Sequence, residues 1–399
     1  MNKPQMKKYR MLLICLLVFI FLIILKIVWV DCATSGHGTI EGERKEVERR
    51  MNYLIKKVVT TPEDLLDEMP SGIGIQYQGE WALYTCSMTA AALVNMTLLY
   101  PEYKERSVEN IAKIIEIALS PEIRKYDRIR WAEDPLDFYS DTKSHISYLS
   151  HLAWMIGGFK EVGGDDRYDD LYHELCETMN RRILQSRNLN LPTYPDECIY
   201  VPDMLVAIVA LANYSRLHHG EYEDVVKQWL EMAKTKWMDQ QTGLLVSCLP
   251  NDELDQDEDF PVKGSYSALN CYYLTFIDPA LAQEQYEKLK CSFLKRSPFL
   301  GIKEYCNRSC WFGMDIDAGP IIMNLSPSAT AFALGSATYF HDKEVRTGIL
   351  RTAEIAGSTV RWFDTNHYLL ANYALIGEAI MLAMRTAVPW EAGTTMRGE

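Results

Sequence analysis

The chain has no surplus of positive charge. Its 54 aspartates and glutamates outnumber 41 lysines and arginines, which leaves a net charge of -13 at pH 7. Nucleic-acid binding needs a clustered basic face to neutralise phosphates, and no such cluster stands in the sequence. The ten cysteines are scattered over 399 residues, so this is not a small disulfide-stapled scaffold. Cys306 and Cys310 are the one close pair, and no second C-x-x-C or histidine pair accompanies them, which argues against zinc. Gly157-Gly158 and Gly163-Gly164 surround a predicted helix end instead of following a strand, so neither is a phosphate loop. The acidic run Asp252 to Asp259 lacks an EF-hand's glycine and glutamate; counted from Asp255, Phe260 and Tyr266 stand there. No metal and no cofactor is expected. Runs of alternating β-branched residues are also missing, which leaves helices as the main material.

One feature is present in strength. Met11 to Val30, MLLICLLVFIFLIILKIVWV, is almost wholly apolar and about 20 residues long, the length of a membrane-spanning helix. Lys3, Lys7, Lys8 and Arg10 precede it and Asp31 follows, so residues 1–10 are expected in the cytoplasm and the rest outside it, in a periplasm or lumen. No A-x-A cleavage site follows, which favours an uncleaved anchor over a signal peptide. Residues 31–65 then supply a polar linker and a first outer helix, Arg44 to Val59, and residues 66–399 form the main domain.

That domain has a rhythm. Trp81–Tyr100, His145–Phe159, Met204–Leu217, Ser265–Phe276, Ser328–Phe340 and Tyr368–Thr386 are apolar or small-residue segments of helical length. Charged amphipathic segments alternate with them: Val108–Leu119, Arg167–Gln185, Tyr222–Met238, Ala280–Phe293 and Lys343–Trp362. A helix apolar all round is covered on all sides, and an amphipathic one faces water. Six pairs of this kind predict an all-α fold, an (α/α)6 barrel or six-hairpin toroid, with an open helical solenoid as the alternative.

In such a barrel the segments entering the inner helices share one face. They are Gln76–Glu80, Asp134–His151, Tyr194–Asp203, Asp255–Tyr266, Asp315–Ser328 and Asp364–Tyr368. The third is the most pointed. In LPTYPDECIYVPDMLVAIVAL, Pro192, Pro195 and Pro202 hold a non-helical loop, and Pro202 suits a first helical turn. Tyr194, Asp196, Glu197, Cys198 and Asp203 are thus delivered to a helix N-terminus, where the dipole favours negative charge. A desolvated carboxylate there can act as general acid while a neighbour stays ionised. Tyr148 and His151 lie three apart on one helix and suit proton transfer. Asp315 and Asp317 alternate in an extended run, so both are expected to point one way before Gly319-Pro320 turns the chain. Tyr266 and Trp81 complete the expected binding groups.

YLSHL at Tyr148–Leu152, YPDECIYVPD, KGSYSALN and DIDAGPIIMNLSPSATAF, in that order, resemble the linalool dehydratase/isomerase-like family of (α/α)6 barrel proteins over roughly residues 76–385. The resemblance implies a pocket for a small alcohol or alkene and acid-base movement of water. It implies Tyr148 and His151 as acid/base groups and Cys198 as one member of the cysteine pair that linalool-acting members use. Here Cys198 is the only cysteine of its loop, and Ser150 stands where the family has glycine before the histidine.

The expected function is a membrane-anchored lyase or isomerase acting on a small hydroxylated molecule. Its catalytic residues would come from His151, Tyr148, Glu197, Cys198 and Asp203, and its binding residues from Tyr194, Asp196, Asp315, Asp317, Tyr266 and Trp81. A carbohydrate-active hydrolase or lyase on the same barrel is the alternative, and a non-catalytic scaffold is the third. The partners expected are a small-molecule substrate and the membrane; the sequence does not set the oligomeric state.

Overall fold

A computed structural model describes residues 3–34, 43–70, 72, 74–138, 143–251 and 260–390. The expected polar linker and the acidic run at 252–259 fall largely or wholly outside these residues.

Fifteen α-helices among them are numbered here in chain order. α1 (Lys3–Thr34) holds the apolar run and extends it at both ends, because its flanking lysines and polar residues are also compatible with helix. The inner helices are α4 (Ile75–Leu99), α7 (Ile146–Glu161), α9 (Val201–Leu217), α11 (Gly264–Leu274), α13 (Pro327–Tyr339) and α15 (Leu375–Arg385). Each packs against the next, and α15 packs against α4, so the ring closes on itself. The open solenoid is thereby excluded. The outer layer is α2 (Arg44–Val58), α5 (Lys104–Ala118), α8 (Asp169–Gln185), α10 (Glu223–Lys236), α12 (Pro279–Phe293) and α14 (Lys343–Gly357). The first outer helix therefore belongs to the toroid, packed on α4 and α15, and is not a linker element.

The expected boundaries of the last pair differ. Lys343–Trp362 is not one helix: α14 stops at Gly357, and Thr359–Trp362 pairs with Thr365–Tyr368 as a hairpin. Consequently α15 begins at Leu375 instead of Tyr368. Two short helices, α3 (Pro62–Asp67) and α6 (Pro121–Trp131), lie in the entry segments and carry proline in their first turn with Thr61 and Ser120 as caps.

The two ends of the toroid are unlike. Each inner helix runs into its outer partner through three to seven residues, whereas the returns to the inner ring take fifteen to thirty-three. Turns of that length close one end; the long returns, with four two-stranded ribbons among the described residues, three of them hairpins, build the other, the mouth. At the short-turn end Trp390 stacks on Trp154 of α7, meets Phe276 edge-on beyond α11, and donates its indole N–H to Asn95 of α4. Staves from different sides of the ring thus hold a plug.

A buried charge cluster ties the chain ends together near that floor. Glu43 accepts from Arg346 of α14 at 2.8 and 2.9 Å and from Arg385 of α15 at 2.5 Å. Burial pushes its carboxyl up, but the two guanidinium groups outweigh this and hold it below the ordinary range.

Candidate active site

α4 carries one charged residue along its whole length, Glu80, one turn in from the mouth. Gly79 beside it meets the Ile123 carbonyl and Tyr126 so closely that a Cβ would lie 2.9 Å from the carbonyl oxygen and from Tyr126 Cβ, which locks α4 against α6. Burial raises the Glu80 carboxyl to about 8, the charge of Asp203 adds to this, and Arg130 acts against it. The Tyr194 hydroxyl is buried beside Glu80, and its interaction with that carboxyl is the second influence after burial, pulling Glu80 down and Tyr194 up.

Asp203 enters from the first turn of α9, held by the proline-rich loop. Its Oδ2 accepts from Thr193 at 2.6 Å and its Oδ1 from the Tyr84 hydroxyl of α4 at 3.2 Å. Burial raises its carboxyl to about 6; the two hydrogen bonds pull down, and the charges of Asp317 and Glu197 push up. Both Asp203 and Glu80 keep part of their surface accessible. They are neighbouring carboxylates lifted to different heights, the pattern that separates acid from base.

The other wall is built from the entry to α11. Gly264 passes so close to the Lys303 carbonyl that a Cβ would lie 1.9 Å from it. That approach fixes Lys263, whose ammonium reaches Asp315 at 2.9 Å and Asp317 at 3.4 Å. Tyr266 donates to Asp317 at 2.7 Å. Burial raises Asp317 and the Tyr266 and Lys263 contacts do not cancel it; Lys263 and two backbone N–H groups hold Asp315 low against the same burial. Behind them Glu304 accepts from Ser265 and is pushed by burial to about 7. Asp315 and Asp317 do converge on Lys263, but the turn comes between Asp315 and Gly319, not at Gly319-Pro320: Phe312–Asp315 pairs with Gly319–Ile322.

Several expected residues have other duties. Glu197 forms an ion pair with Arg130 at 2.8 Å and accepts from Tyr200 at 3.0 Å. The pair holds the guanidinium 3.9 Å from the Tyr194 ring centre, a cation–π contact, so Glu197 positions this wall. Asp196 is exposed on the loop, and Trp81 packs against the core. Tyr148 does not reach the mouth. It is fully buried and donates to the Ala118 carbonyl of outer helix α5 at 2.9 Å. His151 diverges from it, bonding Ser87 Oγ at 2.7 Å through Nδ1 and packing 4.2 Å from the Tyr84 ring. Burial alone depresses its imidazole to about 3, so it stays neutral and supports Tyr84, which in turn holds Asp203. Tyr148→Phe is therefore expected to leave turnover within about threefold of the parent and to cost about 1 kcal/mol in urea unfolding, since one neutral hydrogen bond is lost.

Cys198 gains an unforeseen neighbour. β1 (Ile199–Tyr200) pairs with β2 (Cys248–Leu249) so that Tyr200 faces Cys248, which places Cys198 and Cys248 on one side of the ribbon. A hydrogen bond from Cys248 lowers the Cys198 thiol and raises that of Cys248. Glu80, Tyr84, Arg130 and Lys263 were not singled out as site residues by pattern, although Glu80 stands in a named entry segment. A single charge inside a 25-residue apolar helix was the signal available for Glu80.

A cleft of about 520 Å³ on the outer wall, between α5 and the α7–α8 turn, is lined by Lys104, Glu109, Phe159 and Tyr168 and does not include the carboxylates described above.

No family model matches the chain, so the resemblance to the linalool dehydratase/isomerase-like family rests on its motifs alone. Among solved structures, the chain is similar to a glycoside hydrolase from family 105 of C. acetobutylicum ATCC 824. The two share 12% identity and a TM-score of 0.50 over 75% of this chain and 92% of that one. At that identity the likeness is one of fold: a helical toroid.

Proposed function

We propose that the protein is a carbohydrate-active enzyme that breaks a glycosidic or similar C–O bond by acid-base chemistry at the mouth of the toroid. The observation that carries this is the pair Glu80 and Asp203, partly accessible, raised to about 8 and about 6, and near enough that the Asp203 charge raises Glu80 further. Near neutral pH Glu80 keeps its proton and protonates the departing oxygen. Asp203 is largely ionised and takes a proton from water or stabilises positive charge on the sugar ring. Lys263, Asp315, Asp317 and Tyr266 offer donors and acceptors for hydroxyl groups. The fold-level likeness to a glycoside hydrolase favours this reading over terpene chemistry.

The test is release of reducing ends or chromophore from a panel of glycosides by the full chain. Turnover of at least one member is expected, with Asp203→Asn at least about a hundredfold slower. Parent-level turnover by that variant removes Asp203 from the mechanism.

A second reading, hydration or elimination on an alcohol as in the linalool dehydratase/isomerase-like family, is favoured by one observation. Cys248 stands where a partner for Cys198 is needed, although it comes from a different segment. Cys248→Ser discriminates the two: it leaves the glycosidase reading untouched and abolishes a chemistry that runs through a cysteine pair.

A further inference from the structure

α1 does not lie at random on the toroid. It packs on α14, with Lys26 donating to Ser358 just past the C-terminal end of that helix, which is the mouth end. Eight residues later Thr34 lines a crevice with Leu350 and Glu354, further down α14 toward the floor. The two helices are therefore antiparallel, and residues 6–25, all exposed, project past the mouth. Of these, Met11–Leu25 are all apolar or cysteine, and fifteen residues at ~1.5 Å each span ~22 Å, most of a bilayer's hydrocarbon core.

The same end of the molecule carries an apolar face with no protein partner. In the hairpin Phe312–Asp315 with Gly319–Ile322, strand alternation turns Asp315 and Ile321 inward and leaves Phe312, Met314, Pro320 and Ile322 outward, all exposed. Met314 is 79% exposed and Phe312 72%. The hairpin that starts next to Ser358, where α1 leaves the body, exposes Trp362 and Phe363, and the turn after it Leu369, Leu370 and Tyr373. Exposed aromatic and aliphatic side chains in this number at one end of a globular surface mark a contact site. Trp, Tyr and Phe beside a spanning helix are the composition of a membrane–water interface.

We propose that the mouth face of the toroid rests on the bilayer that α1 enters, with the outward side of the Phe312–Ile322 hairpin and the 362–373 segment seated among lipid head groups and upper acyl chains. The inference uses the direction of α1 and the exposure of these side chains, not the catalytic assignment. Asp315 lies on the reverse side of the same hairpin, so the opening to Glu80 and Asp203 adjoins the lipid surface.

The experiment is photolabelling of the full chain in phosphatidylcholine vesicles containing a phosphatidylcholine with a diazirine in its acyl chain, followed by peptide mapping. Adducts are expected on peptides covering 311–322 and 359–373 as well as on 6–25, with none on the floor turns at 100–103 and 218–222. Phe312→Glu with Met314→Glu changes only exposed side chains; it should cut labelling of 311–322 roughly tenfold, since a charge resists transfer toward the acyl region, and leave 6–25 unchanged. Labelling confined to 6–25 overturns the proposal, as does cross-linking of the hairpin to a second copy in place of lipid.

Discussion

Glu80→Gln is expected to lower turnover by roughly 10² to 10⁴-fold, the usual worth of a positioned general acid, and to erase one limb of the pH profile. In the parent, activity rises as Asp203 ionises near pH 6 and falls as Glu80 loses its proton near pH 8, which gives a bell centred near 7. The variant keeps the acidic limb and loses the alkaline one. Its stability moves the other way. Glu80 has an ordinary value of 4.5 and a folded value of about 8, so the native state holds a proton that the unfolded chain releases. The stabilisation this proton gives is complete below 4.5 and disappears as pH rises through about 8. Glutamine has no proton to lose. The variant should match the parent's melting temperature at pH 4, exceed it progressively above that, and level off beyond about pH 8. A variant equally active and with an unchanged pH profile means that the proton donor is another group.

Glu43→Gln should have the largest effect on folding. The substitution is nearly isosteric, but it leaves Arg346 and Arg385 facing each other in a buried site without their shared carboxylate. Breaking a buried ion pair by removing one partner costs about 3 to 5 kcal/mol, because the remaining charge is not solvated. Denaturant unfolding of parent and variant measures it. The parent's own dependence has a definite sign: Glu43 is held below its ordinary value, so its contribution is full above that value and is lost as pH falls through the folded one. A loss under about 1 kcal/mol at pH 7 would show that water reaches the cluster.

These two residues illustrate what pattern can and cannot convey. The alternation of all-apolar and amphipathic segments made the six pairs visible, because burial on all sides and burial on one side leave different residue spacings. Periodicity says nothing of which neighbour a buried side chain meets. Tyr148 and His151 share a helix that is covered all round, so their spacing of three placed them together while the packing sent one to α5 and the other to α4. The loop at Tyr194–Asp203 was legible because three prolines fix its shape. Lys263 was not, since its value comes from a carbonyl approach across Gly264 that no local pattern records. Ring closure was likewise invisible, being a contact between residues about three hundred positions apart.

That last contact sets a constraint on how the molecule is made. α4 is among the first parts of the toroid to leave the ribosome and α15 is the last, yet the two are adjacent staves. A nascent chain therefore travels with an open seam, its first stave uncovered along one flank until α15 has followed. Chains whose key pairings are this remote fold slowly and are prone to stick to one another meanwhile. A product released before Leu375 is a five-stave arc with no way to shut.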